Sequence, residues 1–182
     1  MEVQQILDLN KQITDSEKHF NNMQNEYRKI GSGWLLATFA GIGFALTQKA
    51  ALPFHPLLFI ALICYAGAIG MIMLWNMDLS VYQKLLDANF KEGLLLEKQH
   101  PWIPQIRHNM LEFHGNRGVL PRVIWFYSMP VMVLIAVGAY QLTLFYSESG
   151  FFFKAGIWVI SFLLYSSFSY FSRHESRVWK KN

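Results

Sequence analysis

Apolar runs and polar, helix-periodic stretches alternate along this chain, and the alternation predicts its elements. Residues 34–52, 57–77, 123–146 and 151–172 are long apolar segments. The second and third hold about 20 residues without a charge, the length at which a helix crosses about 30 Å of hydrocarbon, and the fourth carries only Lys154 near its outer end. The first is interrupted by Gln48 and Lys49, so it reaches full length by drawing on Ile30 to Gly33 or by letting Lys49 snorkel. Thr47 to Pro56, with Pro53 and Pro56, predicts the turn of a membrane hairpin. The fold class expected is all-α, a four-helix transmembrane bundle.

The polar stretches are helical as well. Ile6, Leu9, Ile13, Ser16, Phe20, Met23, Tyr27 and Ile30 follow an unbroken 3,4 spacing, a heptad seam with one polar member. Such a helix runs about seven turns before the first span and packs its seam within the chain or on a second copy. Past Met77 the apolar spacing continues through Leu79, Tyr82, Leu86, Phe90 and Leu94, with Asp87, Lys91, Glu92 and Lys98 on other faces. One helix from 57 to about 97 is expected. His100-Pro101-Trp102-Ile103-Pro104 stops it, a short helix covers 105–113, and Gly115-Asn116-Arg117-Gly118 ends that one. Pro121 then opens the third span from its first turn. The organisation is a heptad helix (1–30), a membrane hairpin (31–77), a polar helical hairpin (78–121), a second membrane hairpin (122–172) and a basic tail (173–182).

Composition agrees, with 53% hydrophobic, 16% aromatic and 15% charged residues against about 25% charged in soluble domains. The net charge of +4 is explained by placement rather than by nucleic-acid affinity. Arg and Lys crowd the segments before the first span, between the second and third, and after the fourth, whereas the two short loops hold only Lys49 and Lys154. That asymmetry predicts a multi-pass protein of the inner membrane with both termini and the central loop in the cytosol. Trp34, Trp75, Trp125 and Trp179 fall near the same edges. Residues 1–30 have no apolar core or cleavage site of a signal peptide. Cys64, the single cysteine, reads as a small buried hydrophobe inside the second span.

No Asp, Glu, Lys, Arg or His interrupts 34–48, 57–77 or 123–147, which excludes the midplane ionisable groups of ion-coupled transporters. What the spans do carry is small residues: Ala37, Gly41 and Ala45 form one ladder, Ala66 and Gly70 another, both fit for close helix packing. Ser161, Tyr165, Ser169 and Ser172 make a hydroxyl stripe on the fourth span, either interhelical hydrogen bonds or the lining of a narrow wet path. Pro130 and Gly138 predict a bend in the third.

Candidates for soluble chemistry lie in the central loop. His100, His108 and His114 lack the acidic company of a metal site, and neither metal nor cofactor is expected. Arg107 or Asn109 with His114 has the loose spacing that resembles the dyad of HEPN-type ribonucleases, in which a histidine moves the 2′-hydroxyl proton and the basic partner steadies phosphate. The plainer reading puts them at the headgroups with Arg117 and Arg122, on anionic lipid. Asp78 is expected to pair with Arg122 between the second and third spans. No enzyme activity is expected.

An N-terminal helix carrying Asn25-Glu26-Tyr27-Arg28, followed by a membrane hairpin that continues into a cytosolic helix, resembles the SLATT-type membrane effectors of bacterial antiviral systems over about residues 15–98. This chain has four spans where that family has two. In size and layout it is also similar to the Kiwa membrane subunit and to CRISPR-associated small membrane proteins. The resemblance implies oligomerisation in the inner membrane with permeabilisation, or recruitment of a cytosolic nuclease. Two functions follow as expectations: a homo-oligomeric effector or channel whose cytosolic helices couple a signal to membrane permeability, or an anchor or sensor for a cytosolic partner protein. The bilayer is a partner in both, and nucleic acid is not expected to bind by itself.

Overall fold

A computed structural model describes residues 3–48, 54–114 and 120–178, with side chains described for 3–48, 54–113 and 123–170. The chain is all-α, and among the described residues there is no strand. Its helices are α1 (Val3–Thr47), α2 (Pro56–Trp75), a π-helical segment (Asn76–Tyr82), α3 (Gln83–Gln99), α4 (Ile106–His114), α5 (Leu120–Phe145) and α6 (Phe151–Val178). Among the described residues four helices are long and apolar enough to cross a membrane, which makes this a multi-pass membrane protein.

The chain divides into two compact units. The polar unit holds Met1–Lys29 and Asn76–Val119, and the apolar unit holds Ile30–Trp75 and Leu120–Asn182. Helix α1 contributes to both over 45 residues without a break, in keeping with the predicted continuation of heptads into the first span. The helix predicted over 57–97 is also present, as α2, the π segment and α3 end to end; the π register at its middle was not foreseen. Near the described end of α1 the Thr47 hydroxyl bonds back to the carbonyls of Gly43 and Phe44, both at 3.1 Å, beside the Gln48 N–H that donates to Phe44 at 2.9 Å. Pro56 sits in the first turn of α2, where its missing N–H costs nothing.

In the apolar unit α5 is the central helix, packing on α2 and on α6. Ile60, Cys64, Gly67, Ala68, Met71 and Trp75 make the buried face of α2, and Tyr127, Val131, Leu134, Ile135 and Ala139 that of α5. Gly138 lies beside Cys64 and Tyr65, and Leu134 beside Gly67, so the two helices run antiparallel. In the polar unit Ile6, Ile13, Leu96 and Ile103 form a buried apolar cluster. Of the predicted heptad seam, Ile6 and Ile13 are buried and Phe20, Met23 and Tyr27 half-buried, while Leu9 is 39% exposed. The inward positions between Ile6, Ile13 and Phe20 are instead Asn10 and Glu17, one residue further on, followed by the buried Gln24. The inward face of α1 is therefore half polar, and the reason lies in what those side chains hold.

Candidate functional site

The short α4 is built around one arginine. Pro101 and Pro104 stop α3 and redirect the chain, and the turn is then locked by two reciprocal side-chain caps. Glu97, fully buried on the last turn of α3, accepts from the backbone N–H of Arg107 (3.0 and 3.1 Å) and of His108 (3.1 Å). A carboxylate there satisfies orphan donors of the helix N-terminus and meets its positive dipole end. In return Gln105 donates its amide to the carbonyls of Glu97 and Ile103, both at 3.0 Å. Ile103, pinned between them, fills the core.

The Arg107 side chain turns inward beside Glu97 and is only 3% exposed. Its Nε and Nη2 donate to the two oxygens of Glu17 at 2.7 and 2.9 Å, a bidentate pair. Nη1 donates to Glu97 at 3.0 Å and to the Asn10 amide oxygen at 3.3 Å, and Nη2 also donates to the Thr14 hydroxyl at 3.3 Å. Every guanidinium N–H is thereby used. Room for the group comes from Gly93, where an added Cβ would stand 2.2 Å from Arg107 Nε. The His108 ring, part-exposed, donates from Nδ1 to Glu97 at 3.1 Å. Burial pushes the Glu97 carboxyl up, but the Arg107 N–H, the His108 ring, the His108 N–H and the guanidinium together hold it below the usual carboxylate value. Burial alone would push Arg107 down; Glu17 and then Glu97 hold it above the ordinary arginine value.

A second constellation joins α1 to the π segment. Asp78, fully buried, accepts from Arg28 Nε at 2.9 Å and Nη2 at 3.3 Å. Gln24 donates to the Asp78 carbonyl at 3.3 Å and to the Gln83 side chain at 2.9 Å, and Gln83 donates on to Asp87 at 2.8 Å. Tyr27 stacks obliquely on Tyr82, ring centroids 5.2 Å apart. The π turn carries a bulge in register that brings the Asp78 carboxylate into this cluster, a use of such segments that recurs at functional positions. Arg28 was not foreseen as the partner of Asp78. The Arg122 side chain, the partner expected from sequence, lies outside the described residues.

The apolar unit carries interhelical polar bonds of its own. Trp34 donates its indole N–H to the Gly67 carbonyl at 3.1 Å. Its ring occupies the space a Cβ on Gly70 would take, and Thr38 fills that of Gly67. The small residues of α2 thus admit an aromatic ring and a threonine rather than a bare backbone. Gly41 faces Ile63 and Ala45 is buried, as the first ladder expects, but Ala37 and Ala66 are exposed, and Gly67 stands where Ala66 was expected. Of the hydroxyl stripe, Ser161 is buried and hydrogen-bonded to the Tyr65 hydroxyl at 2.9 Å. Tyr165 and Ser169 are half-buried, and the Ser172 side chain lies outside the described residues.

The residues of the resembled ribonuclease dyad do not come together as one described site. Arg107 is engaged within the chain, Asn109 is exposed, and the His114 side chain lies outside the described residues. Among the described residues no group of His, Cys, Asp and Glu is arranged to hold a metal ion. Glu17, Glu97, Gly93, Arg28 and Gln24 were the members missed from sequence. Their signals are faint: a glycine inside an otherwise leucine-rich amphipathic helix, and acids and amides on the neighbouring register of a heptad seam. No protein-family model matches the chain, and neither curated proteins nor solved structures include a similar one.

Proposed function

We propose that this protein sits in the bacterial inner membrane with its termini and polar unit in the cytosol, and acts there as a homo-oligomeric effector that couples a signal to its spans. The observation that carries this reading is the Arg28–Asp78 clamp. It ties together two helices within two or three residues of their apolar stretches, which begin at Ile30 and end at Trp75. Asp78 stands in a π turn, and relaxing that turn to α register would rotate it by about 100° away from Arg28. A clamp that opens by such a step is a bistable element of the kind that switches use. Orientation is supported by the placement of Lys and Arg. Self-association is supported by α1, where Gly33 and Gly43 face open space and Ala37 and Ala40 are exposed, a small-residue face suited to another helix. A setting in antiviral defence rests on the resemblance alone.

The test is the full-length protein in dye-loaded vesicles, scored for leakage and for cross-linked oligomers. Asp78→Asn is expected to raise or abolish leakage relative to the parent while the oligomer persists. A parent chain that remains monomeric and tight, with Asp78→Asn indistinguishable from it, sinks the reading. The Ser161–Tyr65 bond favours a second reading, because it ties up a hydroxyl that a wet path would need. There the protein is a membrane anchor or sensor that recruits a cytosolic partner, such as a nuclease. Co-purification of one soluble protein, lost when 79–118 is replaced, is its test.

A further inference from the structure

Helix α4 turns Arg107 inward and an apolar face outward. At 3.6 residues per turn Phe113, Ile106 and Met110 fall within an arc of about 60°. All three are exposed, Phe113 at 89%, and so is Trp102, four residues ahead of Ile106. The helix cannot roll this face away from solvent, because Glu97 holds its first backbone N–H groups and the guanidinium anchors the side about 90° around from it. The ionic network that closes the polar unit is what keeps the apolar face open.

The bilayer is the occupant that the sequence around α4 favours. Only residues 115–119 separate α4 from α5, so the end of α4 lies within about 20 Å, along an extended chain, of a helix that enters the membrane. That connection and the first turn of α5 bring Arg117 and Arg122, cations matched to anionic headgroups. The face itself combines Trp, Ile, Met and Phe, with Asn109 at its margin and Glu112 on another side of the helix, the makeup of a helix lying in the interface plane. The geometry points to α4, together with Trp102, as an interfacial helix that rests on the bilayer and inserts Ile106, Met110 and Phe113 at the level of the headgroups. This deepens the function proposed above and rests on its membrane topology.

The experiment uses the full chain, Cys64→Ala, in nanodiscs of phosphatidylcholine and phosphatidylglycerol. Single cysteines introduced by Phe113→Cys, Met110→Cys or Glu112→Cys carry a fluorophore, quenched either by lipid-borne nitroxides or by aqueous iodide. Leu163→Cys, on an exposed apolar face of α6, reports on the span itself. Labels at 113 and 110 are expected to be quenched by lipid about threefold more than at 112, and correspondingly less by iodide, as an apolar face in the interface requires. Equal iodide quenching at 113 and 112, with 163 still quenched by lipid, overturns the interfacial helix and leaves the spans standing. Protection at 113 from both quenchers, growing with protein concentration, overturns it in favour of a second copy. Failure of lipid quenching at 163 would bring down the topology and this inference with it.

Discussion

The polar and apolar units are held together in opposite ways. The polar unit has an apolar cluster of Ile6, Ile13, Leu96 and Ile103, and takes its specificity from buried charge: Arg107 binds Glu17 and Glu97, and Arg28 binds Asp78. The apolar unit has its core along α2 and α5, where small residues admit larger side chains and neutral hydrogen bonds such as Trp34 to Gly67 and Tyr65 to Ser161 join the helices. The difference follows the solvent. In lipid there is little hydrophobic gain in bringing two helices together, so packing shape decides, through glycines that admit a ring. In water a short helix such as α4 buries too little to hold itself, so geometry is enforced by hydrogen bonds whose loss leaves charge stranded.

Removing one member of the buried network should therefore have the largest effect. Arg107→Ala or Glu97→Ala strands a partner charge and is expected to cost about 3–5 kcal/mol. Hydrogen exchange in detergent should show protection lost in α3 and α4 while α2 and α5 keep theirs; loss spread evenly over both units would break the comparison. Acid should act on the same point. Because Glu97 is held below its ordinary value of about 4.3, its contribution is complete above that pH and is lost as pH falls through the depressed value. Asp87 runs the other way: burial, against the Gln83 bond and Lys91, raises it, so its penalty at neutral pH fades as pH falls through the raised value. Limited proteolysis along a pH series should find the polar unit opening first on the acid side, with Glu97→Gln removing most of that dependence.

Glycine substitutions come next in size and should separate two kinds of tight contact. Gly93→Ala drives a Cβ into the guanidinium, and Gly70→Ala drives one into the Trp34 indole, each at 2.2 Å. Overpacking of this kind costs about 1–3 kcal/mol. Gly43→Ala, which meets nothing within 4 Å, is expected to be neutral or mildly stabilising by thermal unfolding. The smallest effect is expected at Ser161→Ala. A single interhelical hydrogen bond in a membrane is worth about 0.6 kcal/mol, and combining it with Tyr65→Phe should add almost nothing further.

The residues that were legible in advance are those whose role depends on their own segment. The spans, the long helix from 57 into the polar region, the stop at Pro101 and Pro104 and the short helix after it all follow from periodicity and breakers that neighbours cannot override. The heptad seam was legible only in part. Ile6 and Ile13 announced the inward face, but Leu9 in the same pattern is exposed, because Asn10 and Glu17 take the neighbouring register to reach Arg107. An apolar pattern ranks positions by hydrophobicity, and here the inward side is chosen by hydrogen bonds to a side chain some 90 residues away. Asp78 was singled out as half of an ion pair, yet Arg28 could not be recognised as its partner without the π turn that aims it.

By itself the sequence determined where most helices begin and break and which of them are apolar enough for a membrane, since chain length, breakers and the hydration cost of charge are local quantities; α6, which runs on to Val178 past the span expected to end at 172, is the exception. Only the tertiary structure decided which polar side chains are buried, that Gly93 and Gly70 are vacancies for Arg107 and Trp34, and that α4 must present Phe113 outward. Those outcomes depend on which partner lies opposite, and a buried charge or a missing Cβ acquires its meaning only from the atoms that meet it.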